Sequence, residues 1–345
     1  MSCGLPESGS WSCTSSPGSS SCRNSRASSG IQSPEPALTV ATDTPHRSLP
    51  VALVVAMRPR QWLKNVLVFA APLAAGAIFE PGVLAPTVGA FVAFCLISSS
   101  TYLINDARDV EADREHPTKR YRPIAAGQLP ASVAWAAAAV LALASLALSL
   151  AIRPSLAGVV AIYFVFTLAY SLKFKHEPVI ELALLSMGFL LRAIAGGVAS
   201  DLPISQWFLI VAGFGSLFMA AGKRYSELDR SISRLGDAEG LDPGQSPRRS
   251  LSGYTLGYLR FVWATAAAVT ITAYCLWAFE VAAAPSTLPW AQWSVLPFVL
   301  AILRYGVVVD KGQAEAPEDA VLGDRVLLVI AAAWVVTFSL GALGV

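Results

Sequence analysis

A bundle of nine membrane-spanning helices is the fold class this sequence predicts, and three observations predict it. Hydrophobic residues make up 54% of the 345 and charged residues only 14%, too little charge to clothe a soluble domain of this length. The apolar residues fall into runs near the 20 or so that a bilayer crossing needs. Such runs lie at 66–79, 83–104, 131–152, 155–172, 179–199, 204–222, 257–281, 290–309 and 325–344. Basic residues, finally, are confined to alternate loops. They gather before the first run and after the second, fourth, sixth and eighth, and the opposite loops offer only Arg153. Lys and Arg mark the cytoplasmic side, so the N-terminus and the even loops are expected inside and the C-terminus outside the plasma membrane. An odd number of spans agrees with that.

The elements follow in order. Residues 1–50 read as a disordered tail, since 12 of the first 30 residues are Ser and such a composition cannot bury enough apolar surface to offset its ordering entropy. It has no continuous apolar stretch and is not a secretory signal. Residues 51–345 form one membrane domain. Arg58, Arg60, Gln61, Trp62, Lys64 and Asn65 make an amphipathic approach to the first run, with Trp62 expected at the interface. Ala, Gly and Leu dominate the runs, as where helices pack closely in a membrane. The loop 223–256 is the one long cytoplasmic loop besides 105–130. The five cysteines match no metal or redox spacing. The basic residues follow the inner membrane face, so no nucleic-acid partner is expected, and a homo-oligomer is compatible with the chain.

The loop 105–130, NDARDVEADREHPTKRYRPIAAGQLP, carries the densest charge. Read as a helix continuing from the second run, Asp106, Asp109 and Asp113 fall within an arc of roughly 60°, and Asn105 widens it to roughly 100°. Like charges at that spacing repel, and near a membrane little water screens them. A cation should compensate. Carboxylates with one amide are hard oxygen donors that suit Mg²⁺, which bridges carboxylates to phosphates. The plain alternative is a solvated helix end with Asp113 and Glu115 paired to Arg108 and Arg114. Its position against apolar residues favours the metal reading. Lys119, Arg120 and Arg122 follow by one short turn and would clamp phosphate.

Asn105-Asp106-x-x-Asp109-x-x-x-Asp113, followed by Arg120-x-Arg122-Pro123 and Gly127, resembles the first aspartate-rich motif of the UbiA-type intramembrane prenyltransferase superfamily. The resemblance implies nine helices over about 51–345, around a central cavity open to the cytoplasmic side and to lipid. It implies that Asn105, Asp106, Asp109 and Asp113 hold Mg²⁺, or Mn²⁺ in its place, against a substrate diphosphate. The prenyltransferases of that superfamily carry a second D-x-x-x-D after helix 6. Here the matching stretch is GKRYSELD, 222–229, with Lys223, Arg224 and Glu227 where two acids should stand. Lys and Arg meet phosphate oxygens directly; an ordinary helix-end ion pair is the alternative.

That departure, with MRPRQWLKNVLVFAAPLAAG (57–76), YSLKFK (170–175) and ELALLSMGFLLRAIAGGVA (181–199), resembles the decaprenyl-phosphate phosphoribosyltransferase branch of actinobacteria. The resemblance implies transfer of 5-phosphoribose from phosphoribosyl pyrophosphate to a polyprenyl phosphate, for cell-wall arabinan. Asp106, Asp109 and Asp113 would be catalytic. Lys64, Asn65, Lys119, Arg120, Arg122, Tyr170, Lys175, Lys223, Arg224 and Glu227 are candidates to bind substrate. Arg192 lies inside a span, where a charge is expensive unless partnered; Glu181, eleven residues earlier on much the same face, points to a cavity open to the cytoplasm there, with a structural buried pair for Arg192 as the alternative. Two rivals are a prenyltransferase acting on an aromatic acceptor, which lacks its second acidic pair here, and a transporter, which predicts polar residues at midplane rather than at the cytoplasmic ends.

Overall fold

The computed structural model describes residues 47–174, 177–236, 253–281 and 288–343, all within the unit Thr44–Val345. The tail expected over 1–50 lies outside the described residues up to position 46. Leu49 already opens helix α1, Leu49–Ala56, with Pro50 in its first turn, where a missing N–H costs nothing. A 3-10 segment, Pro59–Phe69, follows, then α2 (Ala70–Ala74), α3 (Pro81–Arg108) and α4 (Val110–Glu115). The chain continues with α5 (Ala131–Ile152), α6 (Pro154–Leu172), α7 (Ile180–Ala199) and α8 (Gln206–Gly236). It ends with α9 (Leu256–Val281), α10 (Trp290–Trp293), α11 (Val295–Asp310), α12 (Pro317–Gly323) and α13 (Arg325–Ala342).

Eight stretches of the described residues are long and apolar enough to cross a membrane, and each overlaps one of the second to ninth expected runs, although α8 continues past 222 to Gly236 and so takes up the first part of the stretch 223–256 expected as a loop. Small residues let them approach. Ser145 on α5 donates to the Ala93 carbonyl of α3 at 2.7 Å, and Ser100 on α3 donates to the Ala138 carbonyl at 2.8 Å, so hydroxyls join helices where lipid offers no partner.

The first expected run, 66–79, differs. It is split between an eleven-residue 3-10 segment and the five-residue α2. Runs of 3-10 helix beyond three or four residues are uncommon and mark strain or function. The cause is close packing on α7: a Cβ added at Gly196 would overlap the Val68 carbonyl oxygen and meet the Pro72 ring. The segment also turns Asn65 fully inward. A hydropathy window sees neither demand. Gly76, at φ 68°, ends the segment.

Candidate functional site

The polar residues collect at one end of the bundle, where α3, α6 and α8 bring their C-terminal parts to the N-terminus of α7. Arg108 ties the end of α3 to the end of α6 by donating to the Ser171 carbonyl at 3.1 Å. Tyr170, one residue earlier on α6, accepts from Arg224 of α8 at 2.9 Å. Two charged clusters meet this end.

The first is the acidic cluster, and its helix is not continuous. α3 stops at Arg108, Asp109 is its cap at φ −93°, ψ 19°, and α4 begins at Val110. Asp106 and Asp113 are 3% and 2% exposed, and both face Arg122. Its Nη1 donates to Asp106 Oδ1 at 3.1 Å and to Asp113 Oδ2 at 2.7 Å. Arg58 donates to both Asp106 oxygens at 2.6 and 2.9 Å. Lys119 Nζ lies 3.8 Å from Asp113. Asp109 and Asn105 are half-buried at the break. Among the described residues no three acidic side chains stand together as a formed metal site; the single ladder expected over 105–113 is broken by the turn at Asp109. The donor set still fits a divalent ion. Two buried carboxylates with hard oxygens converge on one cationic group, and a third carboxylate and an amide adjoin them.

The basic loop is shaped by His116, whose Nδ1 accepts the backbone N–H groups of Thr118 and Lys119 at 3.3 and 3.4 Å. Of its three cations, Lys119 and Arg122 face the acids. Arg120 instead stacks on Tyr121 at 4.9 Å and donates to its hydroxyl at 2.7 Å.

The second cluster centres on Arg224, which is buried. Its guanidinium pairs with Glu181 of α7 and with Glu227 one turn on, as well as with Tyr170. Lys223 Nζ lies 3.8 Å from Glu227. A guanidinium fork between two carboxylates and a phenol satisfies a buried charge from several sides. Glu181 on α7 therefore partners Arg224 of α8. The approach to α7 is strained: Val179 sits at φ 68°, an outlier for a β-branched residue. Its N–H donates to Tyr254 Oη at 2.8 Å, and burial pushes that phenol up to about 12.

Lys64 is half-buried on the 3-10 segment. Asn65 faces the bundle interior, away from the acidic cluster. Its Oδ1 accepts from Arg192 Nε at 2.7 Å, and its amide donates to Cys95 Sγ and Ser98 Oγ at 3.3 and 3.4 Å. Arg192 also donates to Tyr163 Oη and the Gly188 carbonyl, each at 2.6 Å. Trp62, half-buried, donates to Ser99 Oγ at 3.0 Å. Lys175 lies outside the described residues. Sequence reasoning missed Arg58 and Tyr163 as partners of the polar groups, and marked Glu181 without its partner Arg224; Arg58 carried a signal, as a cation adjoining a proline-opened polar segment.

An apolar cavity of about 330 Å³ lies among the 3-10 segment, α2, α7, α8, α9, α11 and α13, walled by residues such as Leu73, Phe189, Met219, Trp277 and Trp334. Met219 precedes Lys223 by one turn of α8, so the cavity wall runs on toward the second cluster.

The chain is similar to known proteins in sequence and in fold. The sequence profile of the UbiA prenyltransferase family matches residues 66–327. A decaprenyl-phosphate phosphoribosyltransferase of Corynebacterium glutamicum is 48% identical over 313 residues, 87% of this chain and 91% of that protein. One of Mycobacterium tuberculosis is 50% identical over 297 residues, 85% and 95% of the two chains. A UbiA homolog from Archaeoglobus fulgidus, solved bound to DMAPP and Mg²⁺, superposes with a TM-score of 0.62 at 16% identity, covering 85% of this chain and 99% of that one; that is a likeness of fold. The paired clusters at one end of an apolar bundle and the match over most of the membrane domain lead to one conclusion: the chain belongs to the UbiA prenyltransferase family.

Proposed function

We propose that the protein transfers 5-phosphoribose from phosphoribosyl pyrophosphate to the phosphate of decaprenyl phosphate, releasing pyrophosphate. The observation that carries this reading is the second cluster. Where a prenyltransferase would place a second pair of free carboxylates, this chain holds Arg224 between Glu181 and Glu227. The site therefore offers one carboxylate cluster and a fixed cation, the balance that a donor diphosphate and an acceptor phosphate call for. The relatives named for this activity, about half identical over most of the chain, support it.

Asn105, Asp106, Asp109 and Asp113 would hold the divalent ion, Mg²⁺ or Mn²⁺, which when bound neutralises charge on the departing pyrophosphate. Lys119 and Arg122, beside the same carboxylates, would meet the same phosphates. Lys223 stands at the edge of the second cluster, one turn from the apolar cavity, and would hold the lipid phosphate there. The cavity would take the isoprenoid chain, each buried methylene contributing about 0.8 kcal/mol. An acceptor phosphate with its second pKa near ~6 is already an anion at neutral pH, so no general base is needed. Attack from the face opposite the pyrophosphate inverts the ribose C1 and gives a β-linked product. The site end faces the cytoplasm on the distribution of Lys and Arg.

Membranes holding the protein, given ribose-labelled phosphoribosyl pyrophosphate and decaprenyl phosphate, should yield labelled lipid. No labelled lipid, together with transfer of a prenyl group to an aromatic acceptor, would sink the reading.

A further inference from the structure

The two arginines on the acidic cluster are not equivalent. Arg58 takes both oxygens of Asp106 and rests over the Tyr102 ring at 4.9 Å. Its backbone is left-handed, φ 57°, ψ 63°, immediately ahead of Pro59. A pre-proline residue prefers extended backbone, and such strain persists only where the surroundings fix it. Arg58 is thus anchored. Arg122 instead bridges two carboxylates at once, Asp106 and Asp113. It does so from a half-buried loop position with relaxed, extended backbone, φ −64°, ψ 143°. With Lys119 beside Asp113, the protein's own cations balance the acids it would present to a metal.

We propose that Arg122 is an internal competitor for the metal, so the donor is taken up as a metal–diphosphate chelate rather than as free ion and free diphosphate. The proposal rests on the metal-and-diphosphate reading above. A free divalent ion would have to displace Arg122 from Asp106 and Asp113, leaving a half-buried guanidinium without an anion. A free diphosphate would meet those carboxylates with its charge uncompensated. A chelate supplies a cation for the acids and, in the same event, an anion for Arg122. The bridging contact also keeps two buried carboxylates from repelling each other before the donor arrives.

Binding measurements on the full chain in detergent test this without turnover. Free Mn²⁺ is followed by its paramagnetic resonance signal in the absence of phosphates. Labelled pyrophosphate retention is followed with and without Mg²⁺. The wild type should bind Mn²⁺ alone weakly and retain pyrophosphate only with Mg²⁺. Arg122→Gln should bind Mn²⁺ alone about tenfold more tightly and Mg–pyrophosphate about tenfold less tightly, opposite shifts of one logarithmic unit each. Arg122→Lys, whose single ammonium lacks the fork, should shift both in the same directions by less, and it carries the test if the Gln variant does not fold. If the wild type binds Mn²⁺ alone as tightly as the variants do, the competitor proposal is overturned while the metal site stands. If wild type and Asp109→Asn retain no pyrophosphate even with Mg²⁺, the underlying metal-and-diphosphate reading fails instead.

Discussion

At the scale of the residue, Asp109 and Asp113 separate chemistry from stability. Asp113 is 2% exposed and holds Arg122 and Lys119, whereas Asp109 makes no ion pair among the described residues. Asp109→Ala should therefore lose metal-dependent turnover by about 100-fold or more with an unchanged melting curve. Asp113→Ala should lose turnover and also about 1–3 kcal/mol of stability, because it removes the shorter of Arg122's two carboxylate contacts and a carboxylate beside Lys119. Activity assays beside thermal melts distinguish the two. Arg192 is the structural counterpart. Its three neutral partners, Asn65, Tyr163 and Gly188, join α6 and α7 to the 3-10 segment. Arg192→Ala should cost about 1–3 kcal/mol by removing the donor to Asn65 Oδ1 and to Tyr163 Oη, read as a lower melting temperature in detergent. The acids and bases of the site were legible in the sequence by type and spacing. Their pairing was not: Glu181 and Arg192 share a helix, but Glu181 is taken by Arg224 and Arg192 by Asn65, and only the packing of α7 against α8 and the 3-10 segment decides that.

At the scale of the element, length and hydropathy suffice where a helix crosses the bilayer undisturbed. α5 spans Ala131–Ile152, the run read from the sequence, because proline precedes it and Arg153 and Pro154 follow. The first run fails for the opposite reason, since its path is dictated by contact with α7 at Gly196. Gly196→Ala should force these elements apart, and its melting temperature should fall well below that of Gly158→Ala, where a Cβ has open space. Asp324 caps α13, accepting from the N–H groups of Val326 and Leu327 at 3.0 and 3.2 Å and from Arg304 at 2.7 Å. The bond from Arg304, then the backbone bonds, lower its pKa in the folded state. The cap therefore contributes fully above the ordinary carboxylate pKa of about 4 and fades as pH falls through the lower folded value. Asp324→Asn should remove that acid-side dependence, seen as a flatter melting profile against pH below about 4.

At the scale of the whole molecule, an apolar body with charge gathered at one end is the form of an enzyme that joins a water-soluble donor to a lipid acceptor. The fold class was legible from composition and run length, and the acidic cluster from its motif. The apolar cavity was not, because its wall is assembled from apolar residues of six separate elements and the 3-10 segment, which no local pattern brings together. The central claim, that ribose moves to the lipid and pyrophosphate leaves, is tested most directly by a doubly labelled donor. Phosphoribosyl pyrophosphate carrying carbon label in ribose and phosphorus label in its terminal β-phosphate is given to the purified protein with decaprenyl phosphate in vesicles. The carbon label should pass into the lipid while the phosphorus label stays in water as pyrophosphate; phosphorus label in the lipid, or neither label there, would contradict the account.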